Sequence, residues 1–311
     1  MIFAKKTLAA LLRFFLSLQL PAQHLIKTTS PAQLRKFFQY SPDRIPLISA
    51  HRGGATLGYP ENCLETFERT LQFTPAMIEC DPQLSKDGVL VLMHDCCLDR
   101  TTNGFGAIAD HTLAELRQLR LKDPQGNLTE FQIPTLEEVL QWAKDKTLLT
   151  IDIKPGVTPE MIERLVRKHR AESYATVIAY DLATARQYFQ LNPKLIISLT
   201  FRSIADVHRL DESGIPFANV IAFTGVSEPE PEVYRTLHQR GISCLIGTMG
   251  NLDRQHATGE TNVYAQLVRN GADIITTDRP KEAAEALKEI NLPKSSKRKF
   301  YQVKKLELAA E

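Results

Sequence analysis

The chain has 311 residues, 43% hydrophobic and 24% charged, with a formal net charge of +2. That is the balance of an ordinary soluble globular protein, long enough for one large α/β domain or two small ones. Near-neutral charge argues against one strongly charged partner, and neither charge nor motif supports nucleic-acid binding. The five cysteines form no C-x-x-C pair, which argues against a zinc site.

The N-terminus reads as a segment apart. Lys5-Lys6 precede an apolar run from Leu8 to Leu20, interrupted by Arg13, and Pro21-Ala22-Gln23 follows. This is the pattern of a signal peptide over residues 1–22, cleaved before Gln23, and it predicts a periplasmic or secreted protein. The alternative is an amphipathic helix that packs on the domain or on a membrane surface, in a cytoplasmic protein. The run is too short to span a bilayer comfortably. Residues 23–44 form a lead-in.

From residue 45 strands and helices alternate. Apolar runs rich in β-branched residues recur at 45–50, 77–84, 147–153, 175–179, 195–200, 219–223, 242–247 and 272–277, with a hairpin arm at 89–93 after the second. Thr112-Leu-Ala-Glu115 and Thr135-Leu-Glu-Glu138 have the form of capping boxes, and Thr158-Pro159 that of a helix start. Gly214, Gly241 and Gly271 each stand between a helix and the next strand, as helix-ending glycines do. Continuous apolar strands alternating with helices imply a parallel sheet covered on both faces. Eight such units over residues 45–292 predict a closed (β/α)₈ TIM barrel. An open doubly wound sheet would place a glycine-rich turn directly before the first helix, whereas Gly53-Gly54 is followed by a loop containing Pro60. Residues 293–311, with Lys294, Lys297, Arg298 and Lys299, read as a solvated basic tail.

In such barrels the reactive residues lie at the C-terminal ends of the strands. Strand one ends at His51-Arg52. Strand two carries Glu79 and Asp81, whose spacing puts both carboxylates on one face, with Cys80 on the other. The arm ends at His94. Strand three carries Asp152 and Lys154, again on one face. So many charges gathered at one mouth must pair or bind an ion. Glu79, Asp81 and Asp152 suit a hard cation such as Mg²⁺ or Ca²⁺; the alternative is ion pairing with Arg52 and Lys154 and no metal. His51 and His94 are candidates for proton transfer near neutral pH. Arg52 can grip two phosphate oxygens with its planar fork, and Lys154 can add a point charge.

The motifs His51-Arg52-Gly53-Gly54, Pro60-Glu61-Asn62, Glu79-x-Asp81, Lys86-Asp87-Gly88 with His94-Asp95, and Arg100-Thr101-Thr102-Asn103-Gly104-Phe105-Gly106 occur in this order. Together they resemble the glycerophosphodiester phosphodiesterase family, over about residues 45–290. The resemblance implies the same barrel and a metal-dependent enzyme, a phosphoric diester hydrolase that splits glycerophosphodiesters into an alcohol and sn-glycerol 3-phosphate. It makes Glu79, Asp81 and Asp152 the metal ligands, although the third is commonly Glu in the family. Cys63 stands where the family has threonine. Glu61 and Asn62 are read as supporting the site, Arg100–Gly106 as a structural turn or a phosphate cradle, and Asp278 as an N-cap. The rival readings are a phospholipase D-like enzyme acting on intact lipids, and a binding barrel without catalysis.

Overall fold

The computed structural model describes residues 22–259, 262–290 and 294–305. Its centre is a closed barrel of parallel strands: β1 (Leu47–Ala50), β2 (Ala76–Cys80), β3 (Leu149–Ile151), β4 (Ala175–Ala179), β5 (Ile196–Thr200), β6 (Val220–Phe223), β7 (Cys244–Gly247) and β8 (Ile274–Thr277). Each pairs with its neighbour in sequence, and β8 closes on β1 with Ile274 opposite Leu47. The predicted TIM barrel is the observed one.

The strands are buried on both faces because helices cover the outside and side chains, several of them serines and threonines, fill the inside. The helix Pro159–His169 illustrates the local code. Thr158 and Pro159 open it, Ile162 and Val166 are buried, and Arg167, Lys168 and His169 occupy its last turn. Basic residues there complement the negative end of the helix dipole. Both capping boxes form, opening the helices Leu113–Leu116 and Leu136–Ala143. Cys80 is buried in the barrel core, opposite the carboxylates that flank it.

Strand two is shorter than predicted. The barrel ladder stops at Cys80, and Pro82–Leu84 leaves to pair antiparallel with Leu90–Leu92 as the hairpin arm. The cause is local. The Asp81 amide N–H is bonded by the Asn62 side-chain oxygen at 3.0 Å instead of by a neighbouring strand. The arm and the residues after it up to 134 build a lobe with its own small core, in which Val91, Met93, Leu98, Ile108 and Ile133 pack with Cys63 from the loop after β1. Cys63 therefore packs, as its apolar surroundings require.

The lead-in and the tail also differ from expectation. Ala22–Ile26 and Tyr301–Lys305 pair antiparallel, and the helix Pro31–Phe38 buries Leu34, Phe37 and Phe38 beside them. Backbone bonds from Ile26 to Lys146 and from Tyr40 to Gly241 tie this unit to the segments just before β3 and β7. The two ends of the described chain thus pack at the N-terminal end of the barrel. Residues 294–305 are not a free tail: Ser295, Lys297 and Phe300 are buried and anchor the segment, while residues 302–305 stay exposed. Lys297 is buried, with its ammonium donating to the Gln39 carbonyl at 2.6 Å. Burial pushes its pKa down to about 8.

Candidate active site

The site begins where β1 ends. His51–Gly53 form one tight turn, with Arg52 in the left-handed region at φ 50°. A side chain pays strain there, and such strain gathers at functional sites. Here it aims the Arg52 amide N–H at Glu79 Oε2, 2.8 Å away. Gly53 follows at φ 87°, with Phe67 Cδ1 only 2.2 Å from where a Cβ would stand. Gly54 is as constrained, with Pro280 Cγ at 2.4 Å. No other residue fits either position.

Glu79, Asp81 and Asp152 meet at the C-terminal ends of β2 and β3. All three are buried, and one oxygen from each lies within 4.8 Å of the others. Asp81 is well supplied with partners. Lys154 Nζ lies 2.7 Å from its Oδ1, the Asn62 amide donates to its Oδ2 at 2.7 Å, and Arg52 Nε is 3.7 Å away. Burial pushes Asp81 up, but the Lys154 charge and the Asn62 bond outweigh it and hold the carboxyl below the usual range. Glu79 goes the other way. Burial, then the charges of Asp81 and Asp152, raise it well above an ordinary glutamate. Asp152 Oδ2 accepts from Lys154 at 2.6 Å and from the Tyr180 hydroxyl at 2.8 Å. Its Oδ1 is buried and accepts no hydrogen bond. Lys154, despite burial, is raised by the two aspartates it joins.

Three buried carboxylates therefore face one lysine and, more distantly, one arginine. The surplus negative charge and the unpartnered Asp152 oxygen fit a hard divalent cation, which takes carboxylate oxygens.

The two histidines are anchored alike. His51 Nδ1 lies 2.7 Å from Asp278 Oδ1, and His94 Nδ1 lies 2.8 Å from Asp95 Oδ1. A carboxylate only accepts, so each Nδ1 carries the hydrogen and each Nε2 is left for chemistry. Gln83 pins the backbone under the second imidazole by donating to the His94 carbonyl at 3.0 Å. Arg52 Nη1 reaches Glu61 at 3.2 Å. A cavity of ≈ 110 Å³ opens beside them, lined by His51, Glu79, Asp152 and Tyr180 together with Phe223 and Met249.

Residues 51–282 match the glycerophosphoryl diester phosphodiesterase family. The chain belongs to this family. It is 35% identical to a glycerophosphodiester phosphodiesterase from Caldanaerobacter subterraneus over 163 residues, which span 50% of this chain and 67% of that protein. A crystal structure of a glycerophosphoryl diester phosphodiesterase from Parabacteroides distasonis superimposes with a TM-score of 0.85 at 41% identity, covering 90% of this chain and 99% of that one. At 22% identity, an Oleispira antarctica phosphodiesterase solved with the product sn-glycerol-3-phosphate shares the fold, with a TM-score of 0.62 over 78% of this chain and 97% of that one.

Membership places this protein among the phosphoric diester hydrolases. In this member of the family, His51, Arg52, Glu79, Asp81, Asp152 and Lys154 lie where their late-strand positions predict, and Glu61 and Asn62 from the loop after β1 and His94 from the end of the arm come to the same end of the barrel. One expectation needs correction. Asp278 is not an N-cap: Arg279 takes that place before the helix Pro280–Ala286, and Asp278 holds His51 instead. Sequence reasoning also passed over Asp95 and Tyr180 as partners of site residues. His94-Asp95 were adjacent and visible as a pair; nothing near residue 180 points to Asp152.

Proposed function

We propose that this protein hydrolyses glycerophosphodiesters to an alcohol and sn-glycerol 3-phosphate, with Glu79, Asp81 and Asp152 holding Mg²⁺ or Ca²⁺. The observation that carries this reading is the buried carboxylate trio, with its unpartnered Asp152 oxygen, set between two carboxylate-anchored imidazoles. A bound cation would supply positive charge to the phosphate oxygens. Arg52 binds those oxygens through its fork and Lys154 adds a second charge. The Nε2 of one histidine takes the proton of the attacking oxygen, and the Nε2 of the other gives a proton to the leaving alcohol. The attacking oxygen is either the substrate's glycerol 2-hydroxyl, through a cyclic phosphate, or water. Glu61 and Asn62 support Arg52 and Asp81 by the bonds described. The product bound by the Oleispira antarctica protein is the one this reading expects here.

The test is a product assay on a panel of glycerophosphodiesters and intact phospholipids, with and without chelator. The expected result is release of sn-glycerol 3-phosphate from the diesters, abolished by chelator and restored by Mg²⁺ or Ca²⁺. Preference for intact lipids would instead favour the phospholipase D-like reading, and binding without turnover a non-catalytic barrel. Among the described residues no helix is long and apolar enough to cross a membrane. We further infer export. The predicted signal at 1–22 lies outside the described residues apart from Ala22, and its test is the mass of the native protein, which should begin at Gln23.

A further inference from the structure

The loop that opens with Arg100 lies beside the site without belonging to it. Arg100 places four of its N–H groups on two carboxylates. Its Nη1 and Nη2 donate to Glu61 Oε2 and Oε1 at 2.9 and 2.7 Å. On the other side, its Nε donates to Asp95 Oδ2 and its Nη2 to Asp95 Oδ1, the latter at 3.0 Å. Each carboxylate leads to a working residue. Glu61 accepts from Arg52 Nη1 at 3.2 and 3.3 Å, and Asp95 anchors His94 Nδ1 at 2.8 Å. The result is one alternating chain of charge, Arg52–Glu61–Arg100–Asp95–His94. It joins segments 52–61 and 94–100.

We propose that Arg100 is a positioning residue that couples the phosphate-binding Arg52 to the proton-transferring His94. The inference rests on the acid–base reading of His94. Without the guanidinium, Glu61 and Asp95 would be two carboxylates facing each other, free to turn away from Arg52 and His94. With it, both are held flat in bidentate pairs, which fix orientation as well as charge. The arginine also holds the Asp95 carboxyl well below the usual range, so it remains an acceptor for Nδ1–H at any working pH. Lysine offers one nitrogen and cannot span two carboxylates in this way. The Arg100 side chain is 48% exposed, so direct contact with substrate is the competing role.

The two roles separate kinetically. Arg100→Gln is expected to lower kcat by about tenfold and to change KM by less than about threefold, because an orienting contact acts on the transition state more than on binding. Arg100→Lys should fall equally far. In a long-range ¹H–¹⁵N spectrum, the single Nδ1–H tautomer of His94 should become a mixture in either variant. If Arg100→Gln does not fold, Asp95→Asn breaks the same chain at its next link and carries the same expectations. A rise in KM with kcat intact, full rescue by lysine, or an unchanged tautomer would overturn the proposal. His94→Ala tells this failure from that of the parent reading. If it loses activity while Arg100→Gln is neutral, only the coupling role falls. If it keeps activity, the acid–base assignment falls and the coupling with it.

Discussion

Among the described residues, a trio of metal-ligand side chains comes within 4.8 Å at each end of the barrel, and only one trio leaves the unanswered charge that could hold a metal. At the C-terminal end stand Glu79, Asp81 and Asp152. At the N-terminal end stand His238, Cys244 and Asp273, where the helix Pro231–Gln239 leads into β7 and the chain enters β8. The second trio carries one carboxylate, and its charge is answered. Arg44 pairs with Asp273 Oδ1, while His238 Nε2 at 2.9 Å and the Cys244 amide N–H at 2.7 Å bond its Oδ2. The His238 ring lies flat on Tyr40, with centroids 3.6 Å apart. Burial and the Asp273 charge both push the Cys244 thiol up, away from the thiolate a metal requires. At the other end Lys154 joins only two of three buried carboxylates, Asp81 and Asp152, and Asp152 keeps an oxygen with no partner. Proximity of ligand types does not make a metal site. What marks one is negative charge that the protein itself leaves unpaired.

The largest effects should come from the imidazoles at the charged end. His51→Ala and His94→Ala are each expected to lower kcat on the order of a hundredfold or more, with folding preserved by circular dichroism. A nitrophenol leaving group, which needs no proton, should rescue in part the variant that has lost the acid. If neither variant loses activity, the mouth is a binding site and not a reactive one.

A smaller and more specific effect is expected at Asp152. Asp152→Asn should weaken Mg²⁺ or Ca²⁺ binding by about tenfold or more. Asp152→Glu keeps the charge and restores the reach common in the family, so it should bind far better than the asparagine variant. In this chain Tyr180 and Lys154 both hold Oδ2, which leaves Oδ1 buried without a partner. Equal affinity in wild type and Asp152→Asn would remove Asp152 from the site.

The smallest effect on activity is expected at the opposite end. Asp273→Asn should leave kcat within about twofold of wild type. It should lower stability in urea by about 3 kcal/mol, because Arg44 and His238 lose the charge they were placed to meet. A loss of turnover without a loss of stability would undo the contrast between the two ends.

The sequence revealed what is local and repeated. The strands were legible because runs such as Ile196–Thr200 are short, rich in β-branched residues and almost wholly buried. The capping boxes were legible because two residues three positions apart carry each one. The end of β2 was not, because the period-two pattern runs on through Asp81 while a side chain from residue 62 ends the ladder. The pairing of Ala22–Ile26 with Tyr301–Lys305 joins the two ends of the described chain, and the charged run Lys304-Lys305 reads as solvent-facing. The site residues were legible as types at strand ends. Their anchors were not: Asp278 meets His51 across 227 positions, and Tyr180 meets Asp152 across 28. Contacts of that range leave no trace in local spacing.

Calorimetric titration of Mg²⁺ or Ca²⁺ into chelator-treated protein tests the central claim most directly. The expected result is a single site, lost in Asp81→Asn and in Glu79→Gln and unchanged in Asp273→Asn. Absence of binding in the wild type, or binding that survives Asp81→Asn and disappears with Asp273→Asn, would contradict it.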